Sequence, residues 1–369
     1  MAATGRAAVA MSADQPIELR DYPIPEPSSD EILVRTTVAG LCGSDLHIWR
    51  GEVPPLQPYP SVPGHEGTGR VVALGKQRQR DTLGRPLAVG DRVAYSYFVP
   101  CGECWLCLTG TTGCPNRYRF KAETTVDDPP HFLGTYAEYM LLHPGQWVFK
   151  VPDGIPDDLL APVNCALSQV IYGLHRIGIW LGDTVVVQGA GGLGLYAAAI
   201  ARDMGAGQVV AIDAIPQRLA LARDFGADLA LNVAESTKEE RVEAVWDLTG
   251  GIGADACLEV VGVPAVVQEG LELLRPGGRY LMMGNIVPDV STEVVPHDAV
   301  RRPKQLLGVL SYDRWVIPRA LTWLAGAQTR YPLDRLVSRR YALEQINEAF
   351  ADAEWAAQRG EVARILIAP

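Results

Sequence analysis

A glycine-rich segment between a strand-like run and an alanine-rich run constrains the fold of this chain more than any other feature. The apolar, β-branched run Thr184–Gln188 leads directly into Gly189-Ala-Gly-Gly-Leu-Gly194 and then into a helix-forming sequence. Strand, Gly-x-Gly-x-x-Gly turn and helix, in this order, is the context in which a parallel sheet binds the pyrophosphate of a dinucleotide. The glycine motif is weak by itself, because an ordinary glycine-rich loop can carry the same pattern.

The positions of the glycines and a second signal downstream support a dinucleotide site. Gly189 allows the tight turn, Gly191 lets the backbone approach the pyrophosphate, and Gly194 allows the helix to pack closely on the strand. The candidate phosphate-binding residues are Gly189, Gly191, Gly192, Leu193 and Gly194. Asp213 ends the next strand-like run, about 20 residues further on, where a carboxylate binds the ribose hydroxyls and repels a 2′-phosphate. We therefore predict NAD rather than NADP, with a helix N-cap as the alternative role for Asp213.

Two parts of the chain differ in their secondary-structure pattern. From residue 184 to about residue 309, strand-like and helix-like runs alternate, which is typical of a parallel sheet. Earlier residues form short runs rich in Val, Tyr and Thr, which are Ile32 to Ala39, Gly69 to Leu74, Asp91 to Tyr97 and Tyr136 to Leu142. We predict an α/β protein with a β-rich domain (residues 1–164 and 310–369) and a doubly wound parallel-sheet domain (residues 165–309).

Charge and apolar runs exclude several classes of protein. The chain has 33 Lys and Arg against 43 Asp and Glu, a net charge of −10, whereas nucleic-acid binding needs a concentrated basic face. The longest apolar stretch, Leu193 to Ala201, is about half the length of a membrane span. The N-terminus also lacks the apolar segment of a secretory signal. We expect a cytoplasmic protein that binds neither nucleic acid nor membranes.

Four cysteines crowd into one short segment. They are Cys101, Cys104, Cys107 and Cys114. This spacing lets four thiolates surround one Zn²⁺ tetrahedrally and leaves no position for a substrate, so it predicts a structural zinc site. Two disulfides are the alternative, which a reducing compartment disfavours.

Two other segments carry residues that can bind a metal. Cys42 lies in Gly40-Leu-Cys-Gly-Ser-Asp-Leu-His47, and His65 and Glu66 lie in Pro63-Gly-His-Glu-Gly67. A lone cysteine is usually a small buried hydrophobe, and a lone histidine is usually a hydrogen-bonded loop residue. The spacing alone therefore leaves undecided whether these residues form a second metal site.

Together these segments resemble the zinc-containing alcohol dehydrogenases of the medium-chain dehydrogenase/reductase family. The resemblance covers nearly the whole chain and includes Gly90-Asp-Arg-Val93 and Gly134-Thr-Tyr-Ala-Glu-Tyr139. It implies a GroES-like catalytic domain beside a Rossmann NAD-binding domain, in a homodimer or homotetramer. It also implies a catalytic Zn²⁺ held by Cys42, His65 and Cys165, which makes two Zn²⁺ per chain.

The resemblance further implies roles for residues around that metal. Ser44 would receive the substrate proton and His47 would pass it to solvent, Asp45 would orient the His65 ring, and Glu66 could approach the metal. Ser44 has a helix N-cap as its alternative role. Further cofactor candidates are Arg218, Gly284, Asn285 and Arg364, and candidate walls of the substrate pocket are Tyr97, Phe132, Leu133 and Trp49. For the wall residues, ordinary core packing is an equal alternative.

The sequence thus predicts a zinc- and NAD-dependent enzyme that interconverts an alcohol, secondary or cyclic, with its ketone or aldehyde. The metal acts as a Lewis acid on the alcohol, and nicotinamide takes the hydride. One alternative is a zinc-free quinone or enone reductase, which Cys42, His65 and Cys165 together disfavour. The other is a non-catalytic NAD-binding protein.

Overall fold

A computed structural model describes residues 3–110, 112–359 and 364–369 of the chain. The strands are β1 (Thr4–Val9), β2 (Glu18–Pro23), β3 (Ile32–Leu41), β4 (Glu66–Leu74), β5 (Arg92–Tyr95), β6 (Tyr139–Leu142), β7 (Val148–Lys150), β8 (Thr184–Gln188), β9 (Gln208–Asp213), β10 (Leu229–Asn232), β11 (Ala254–Glu259), β12 (Leu274–Met282), β13 (Gln305–Gly308), β14 (Val337–Ala342) and β15 (Arg364–Ala368). The α-helices are α1 (Gly43–Trp49), α2 (Trp105–Leu108), α3 (Arg119–Ala122), α4 (Ala166–Ile177), α5 (Gly192–Met204), α6 (Pro216–Asp224), α7 (Lys238–Leu248), α8 (Ala265–Leu273), α9 (Pro296–Arg301), α10 (Val316–Ala327) and α11 (Ile346–Arg359). Short 3₁₀ turns occupy Asp157–Leu159, Ala161–Asn164, Leu333–Leu336 and Leu343–Gln345.

Six strands form a parallel sheet in the order β10-β9-β8-β11-β12-β13. The central strand β8 is buried along its whole length, because a parallel strand covered by helices on both faces needs apolar residues on both faces. The strand order reverses between β8 and β11, and a crevice at the carboxyl ends of strands at such a switch point is where dinucleotides bind. The predicted α/β class and the parallel sheet are confirmed.

A second, largely antiparallel sheet runs β14-β15-β3-β4-β5-β7, with β6 also paired to β3. Its central pair, β3 and β4, sets Gly40 opposite Glu66. That register brings the segment after β3, which contains Cys42, next to His65 at the start of β4. The two sequence motifs thus meet because their strands are neighbours.

The strands of the antiparallel sheet fall before residue 151 and after residue 336, and those of the parallel sheet between them. The boundaries at residues 164 and 310 stay a prediction. Sequence reasoning did not anticipate α4, which starts directly after Cys165, nor β10 and α7. The last strand, β15, begins at Arg364. None of the helices in the described part of the chain is long and apolar enough to cross a bilayer.

Candidate metal and cofactor sites

Cys42, His65 and Cys165 come together from three separate segments. Their ligand atoms all lie within 4.8 Å of one another, and His65 Nε2 is 3.3 Å from Cys165 Sγ. Tetrahedral zinc with ordinary bond lengths needs an N···S separation of about 3.5 Å. Hydrogen bonding between the two thiols lowers the pKa of Cys42 and raises that of Cys165, and burial adds to the rise. Two sulfurs and one imidazole nitrogen fit a metal that keeps one position open.

Asp45 orients the His65 ring from behind. Its Oδ1 lies 3.0 Å from His65 Nδ1, so that Nε2 is left to face the thiols. Its Oδ2 accepts hydrogen bonds from the Cys42 backbone N–H at 3.0 Å and from the Tyr136 hydroxyl at 2.7 Å. A carboxylate that holds one nitrogen of a histidine fixes which nitrogen is free for a metal. Sequence reasoning missed Tyr136, although its segment was recognised.

Ser44 and His47 lie on the short helix α1, which begins beside the ligand cluster. Ser44 Oγ is 3.3 Å from Cys42 Sγ and 3.5 Å from His65 Nε2. The N-cap of the helix is Cys42, not Ser44, so the alternative role of Ser44 as the N-cap is wrong. His47 Nδ1 lies 2.5 Å from Glu52 Oε2, a partner that sequence reasoning did not name. Ser44 therefore places a hydroxyl within 3.5 Å of two of the three ligand atoms.

Glu66 and Arg364 connect the ligand cluster to the glycine-rich turn. Glu66 is fully buried, and its Oε2 lies 2.5 Å from Arg364 Nη1. Burial raises the pKa of Glu66 to about 7, against the opposing effect of Arg364. A Cβ added at Gly192 would lie 3.3 Å from Arg364 Nη2, and Arg364 Nε is buried without a hydrogen-bond partner among the described residues. This guanidinium thus lies beside the N-terminus of α5, a favourable place for phosphates.

The glycines of the turn have the conformations that their predicted roles require. Gly189 has φ +100°, and a Cβ at Gly194 would lie 1.7 Å from the Gly189 carbonyl oxygen. Gly191 is the N-cap of α5, and nothing described lies within 4 Å of a Cβ placed there. A ligand backbone can therefore approach Gly191 closely, as a pyrophosphate must.

Asp213 lies at the carboxyl end of β9 and is largely buried. Its two carboxylate oxygens accept one backbone N–H each, from Ala190 at 2.7 Å and Ile215 at 2.9 Å. The N-cap of α6 is Ile215, so the alternative role of Asp213 as a helix N-cap is wrong. Each oxygen keeps a second lone pair that a ribose hydroxyl can use.

Other candidate cofactor residues lie around the same crevice. Arg218 is in the first turn of α6 and half-buried. Gly284 and Asn285 follow β12, and both polar atoms of the Asn285 amide are buried without a partner among the described residues. An orphaned buried amide needs a partner, which the carboxamide of nicotinamide could supply. Together with the glycine-rich turn, these residues fit a nicotinamide dinucleotide.

The four clustered cysteines form a second group of metal-ligand atoms. The Sγ···Sγ distances are 3.5 Å (Cys101–Cys114), 3.6 Å (Cys104–Cys107), 3.8 Å (Cys104–Cys114) and 4.0 Å (Cys101–Cys107). Disulfides have sulfurs about 2.05 Å apart, and all seven cysteines are free, so the alternative of two disulfides is wrong. Four thiolates bound to tetrahedral zinc lie about 3.8 Å apart, so the group fits a closed site.

The four residues predicted to line the substrate pocket do not all lie beside the ligand cluster. The Tyr97 ring lies 4.9 Å from the His65 ring, and Tyr118, which sequence reasoning missed, stacks on Tyr97. Phe132 is fully buried in a core cluster and packs on Tyr139 at 6.0 Å, which favours its alternative role in core packing. Trp49 packs against Phe350, and its indole N–H donates to the Gln15 carbonyl. Trp49 is only partly buried and also lines a cavity, and Leu133 is buried, so the wall roles of both residues stay predictions.

Comparison with known proteins places the chain in a family. The zinc-binding dehydrogenase family matches residues 192–326, and the alcohol dehydrogenase GroES-like domain matches residues 28–153. The 5-exo-hydroxycamphor dehydrogenase of Pseudomonas putida is 34% identical over 346 residues, which cover 93% of this chain and 94% of that protein. The alcohol dehydrogenase of Geobacillus stearothermophilus is 32% identical and covers 95% of each chain.

Solved structures agree with these relatives. The alcohol dehydrogenase of Thermotoga maritima superposes with a TM-score of 0.92 at 33% identity over the full length of both chains. A structure from Sinorhizobium meliloti that holds NADP superposes with a TM-score of 0.84 at 27% identity over both full chains. The chain therefore belongs to the zinc-containing alcohol dehydrogenases of the medium-chain dehydrogenase/reductase family, and it is an oxidoreductase with a metal ion and a nicotinamide cofactor.

Proposed function

We propose that this enzyme binds two Zn²⁺ per chain and uses NAD to interconvert a secondary or cyclic alcohol with its ketone. The observation that carries the proposal is the open cluster of Cys42, His65 and Cys165, with the Ser44 hydroxyl beside it. Arg364 links that cluster to the dinucleotide crevice through its ion pair with Glu66. The alcohol carbon and the nicotinamide would meet between the ligand cluster and the dinucleotide crevice.

The ligand cluster supplies the catalytic metal and the four-cysteine group a structural one. When bound, the catalytic metal would make the alcohol hydroxyl acidic, and the nicotinamide would accept a hydride from the same carbon. Ser44 Oγ, which lies 3.3 Å from one ligand sulfur, would accept the hydroxyl proton while its own proton passes on towards His47. His47 follows one helical turn later and passes the proton towards Glu52 and solvent. Asp45 holds the proton of the His65 ring on Nδ1, so that Nε2 is directed at the metal.

NAD is favoured over NADP by the position of Asp213. The carboxylate is held at the end of β9 by the N–H groups of Ala190 and Ile215, so a 2′-phosphate would have to approach a fixed negative charge. One neighbouring structure holds NADP, which makes a direct comparison of the two cofactors informative.

The substrate class rests on the relatives and on the aromatic wall. One relative, at 34% identity, is named as a hydroxycamphor dehydrogenase. The sorbitol dehydrogenase of Ovis aries is 33% identical and covers 90% of this chain. Both compounds carry secondary hydroxyls. Tyr97 and Tyr118 stack beside His65, and stacked rings favour a bulky apolar substrate over an extended polyol.

The test is NAD and NADP reduction with matched primary, secondary, cyclic and polyol alcohols. We expect the highest kcat/KM with a cyclic secondary alcohol and NAD. A faster reaction with primary alcohols would overturn the substrate class, and equal efficiency with NADP would overturn the role of Asp213.

We also propose that the chain forms a homodimer or homotetramer in the cytoplasm. Strand β13 lies at the edge of the parallel sheet. Leu306 on this strand is 47% exposed, and Leu310, two residues after its end, is 49% exposed. An open strand edge with apolar side chains favours pairing with a second copy. Free thiols suit a reducing compartment. Light scattering after size-exclusion chromatography tests the oligomeric state, and a monomer would contradict the proposed homodimer or homotetramer.

A further inference from the structure

Glu259 is a fully buried carboxylate at the carboxyl end of β11. Its Oε1 accepts the backbone N–H groups of Val261 at 2.7 Å and Gly262 at 2.6 Å. Its Oε2 accepts the backbone N–H of Gly284 at 3.2 Å. A buried carboxylate is costly unless its oxygens are hydrogen-bonded, and here backbone amides from two different loops satisfy it. Glu259 therefore ties those loops together.

The two loops follow neighbouring strands and touch each other. The first loop, residues 260–263, follows β11, and the second, residues 283–287, follows β12. Gly262 has φ +81°, and a Cβ there would lie 2.9 Å from the Gly284 carbonyl oxygen. A Cβ at Gly284 would lie 2.6 Å from Glu259 Oε1. The loops can close on the carboxylate only because both positions are glycine.

The same loops border the dinucleotide crevice. A Cβ at Gly189 would lie 2.9 Å from Val261 Cγ2, so the first loop rests on the glycine-rich turn. Asn285, next to Gly284 in the second loop, presents the buried amide that lacks a partner among the described residues. Both loops stand at the carboxyl ends of the parallel strands beside the switch point. They are therefore placed to hold the nicotinamide half of the cofactor rather than the adenosine half, which lies towards Asp213.

We propose that Glu259 is a positioning residue that sets the geometry of the nicotinamide pocket by holding the two loops together. The inference rests on the proposed function, which places nicotinamide beside Asn285. Glu259 touches no reacting atom and acts through the backbone of residues 261, 262 and 284. Only a carboxylate suits this position, because both of its ends accept hydrogen bonds, whereas a glutamine amide must turn an NH₂ group towards one of the two loops.

The test compares the binding of NADH and ADP-ribose to Glu259→Gln. ADP-ribose contains the whole cofactor except nicotinamide, so it reports on the glycine-rich turn and Asp213 alone. We expect NADH to bind about tenfold more weakly, the effect of losing one charge-assisted hydrogen bond, and ADP-ribose affinity to stay within about twofold. NADH binding is followed by its fluorescence, and ADP-ribose binding by calorimetry.

Glu269→Gln is the matched control, because Glu269 is also a largely buried carboxylate of the parallel-sheet region. Its partner is the guanidinium of Arg241, which it binds in a bidentate ion pair at 2.8 and 2.7 Å, rather than the backbone of either loop. This variant should lower the melting temperature without changing the ratio of the two affinities. If Glu259→Gln fails to fold, Gly262→Ala perturbs the same loop contact and should show the same selective loss of NADH binding.

The outcomes separate this inference from the proposed function. If Glu259→Gln bound NADH and ADP-ribose equally more weakly, or bound both as tightly as the wild type, the role of Glu259 would be overturned. The proposed function as a dinucleotide-dependent enzyme would still stand. A wild-type protein that binds ADP-ribose as tightly as NADH, or binds neither, would overturn the placement of nicotinamide and this inference with it.

Discussion

Replacing Asp45 with asparagine should weaken the catalytic metal site and leave the four-cysteine site intact. The carboxylate of Asp45 faces three donors, which are His65 Nδ1–H, the Cys42 backbone N–H and the Tyr136 hydroxyl. An asparagine has one acceptor oxygen, so its NH₂ group must face at least one of these donors. Losing the carboxylate that orients a metal-binding histidine typically costs 10–100-fold in metal affinity, which is about 1.4–2.8 kcal/mol.

The assay is competition for zinc between the protein and a chromophoric chelator. Tyr136→Phe is the matched control, since it removes the hydrogen bond at 2.7 Å and keeps both the charge of Asp45 and its contact with His65. We expect Asp45→Asn to lower the affinity for one of two zinc ions, and Tyr136→Phe to lower it much less. Wild-type affinity in Asp45→Asn, or an equal loss in Tyr136→Phe, would refute the orienting role.

Three further predictions follow from single side chains. Ser44→Ala should slow alcohol oxidation by about 10²–10⁴-fold with zinc content and melting temperature unchanged, whereas unchanged turnover would exclude a proton-accepting role. Asp213→Ala should raise the KM for NAD and reduce the preference for NAD over NADP, measured as the ratio of the two kcat/KM values. An unchanged ratio would contradict the role of Asp213 in cofactor choice. Burial of Lys121 on α3 lowers its pKa from 10.5 to about 8, so the folded state binds fewer protons than the unfolded state between these pH values. Lys121→Met should therefore raise the free energy of unfolding by about 3 kcal/mol at pH 7, and urea titrations should show this gain shrinking as the pH rises above 8.

The parallel sheet and its crevice could be predicted because their signals are local. Thr184–Gln188 is apolar on both faces, and the glycine spacing directly follows it. The requirement for glycine at position 194 is explained by a single contact, because any side chain there would collide with the Gly189 carbonyl. The four-cysteine group is local in the same way, because all of its sulfurs come from a single loop.

The catalytic cluster could not be derived from local patterns. His65 and Cys165 are 100 residues apart, and Cys42 meets His65 only because β3 pairs with β4 in a register that sets Gly40 opposite Glu66. Nothing in the spacing of these residues specifies that pairing. Only the resemblance to a family supplied the three ligands together.

Residues that act through hydrogen bonds across the fold were the hardest to identify. Tyr136 reaches Asp45 from the segment that precedes β6, and Glu259 acts through the backbone of two loops. The two alternative roles of Phe132 illustrate a related difficulty. An aromatic residue in a loop can face a pocket or the core, and only the packing with Tyr22 and Tyr139 decides between them.

Zinc content measured together with alcohol oxidation tests the central claim most directly. The wild-type protein should hold two zinc ions per chain and reduce NAD with a secondary alcohol. Cys42→Ser should hold one zinc ion, lose activity and keep its melting temperature, while Cys104→Ser should lose the other zinc ion and much of its stability. One zinc ion per fully metallated wild-type chain, or an active Cys42→Ser protein, would contradict the account.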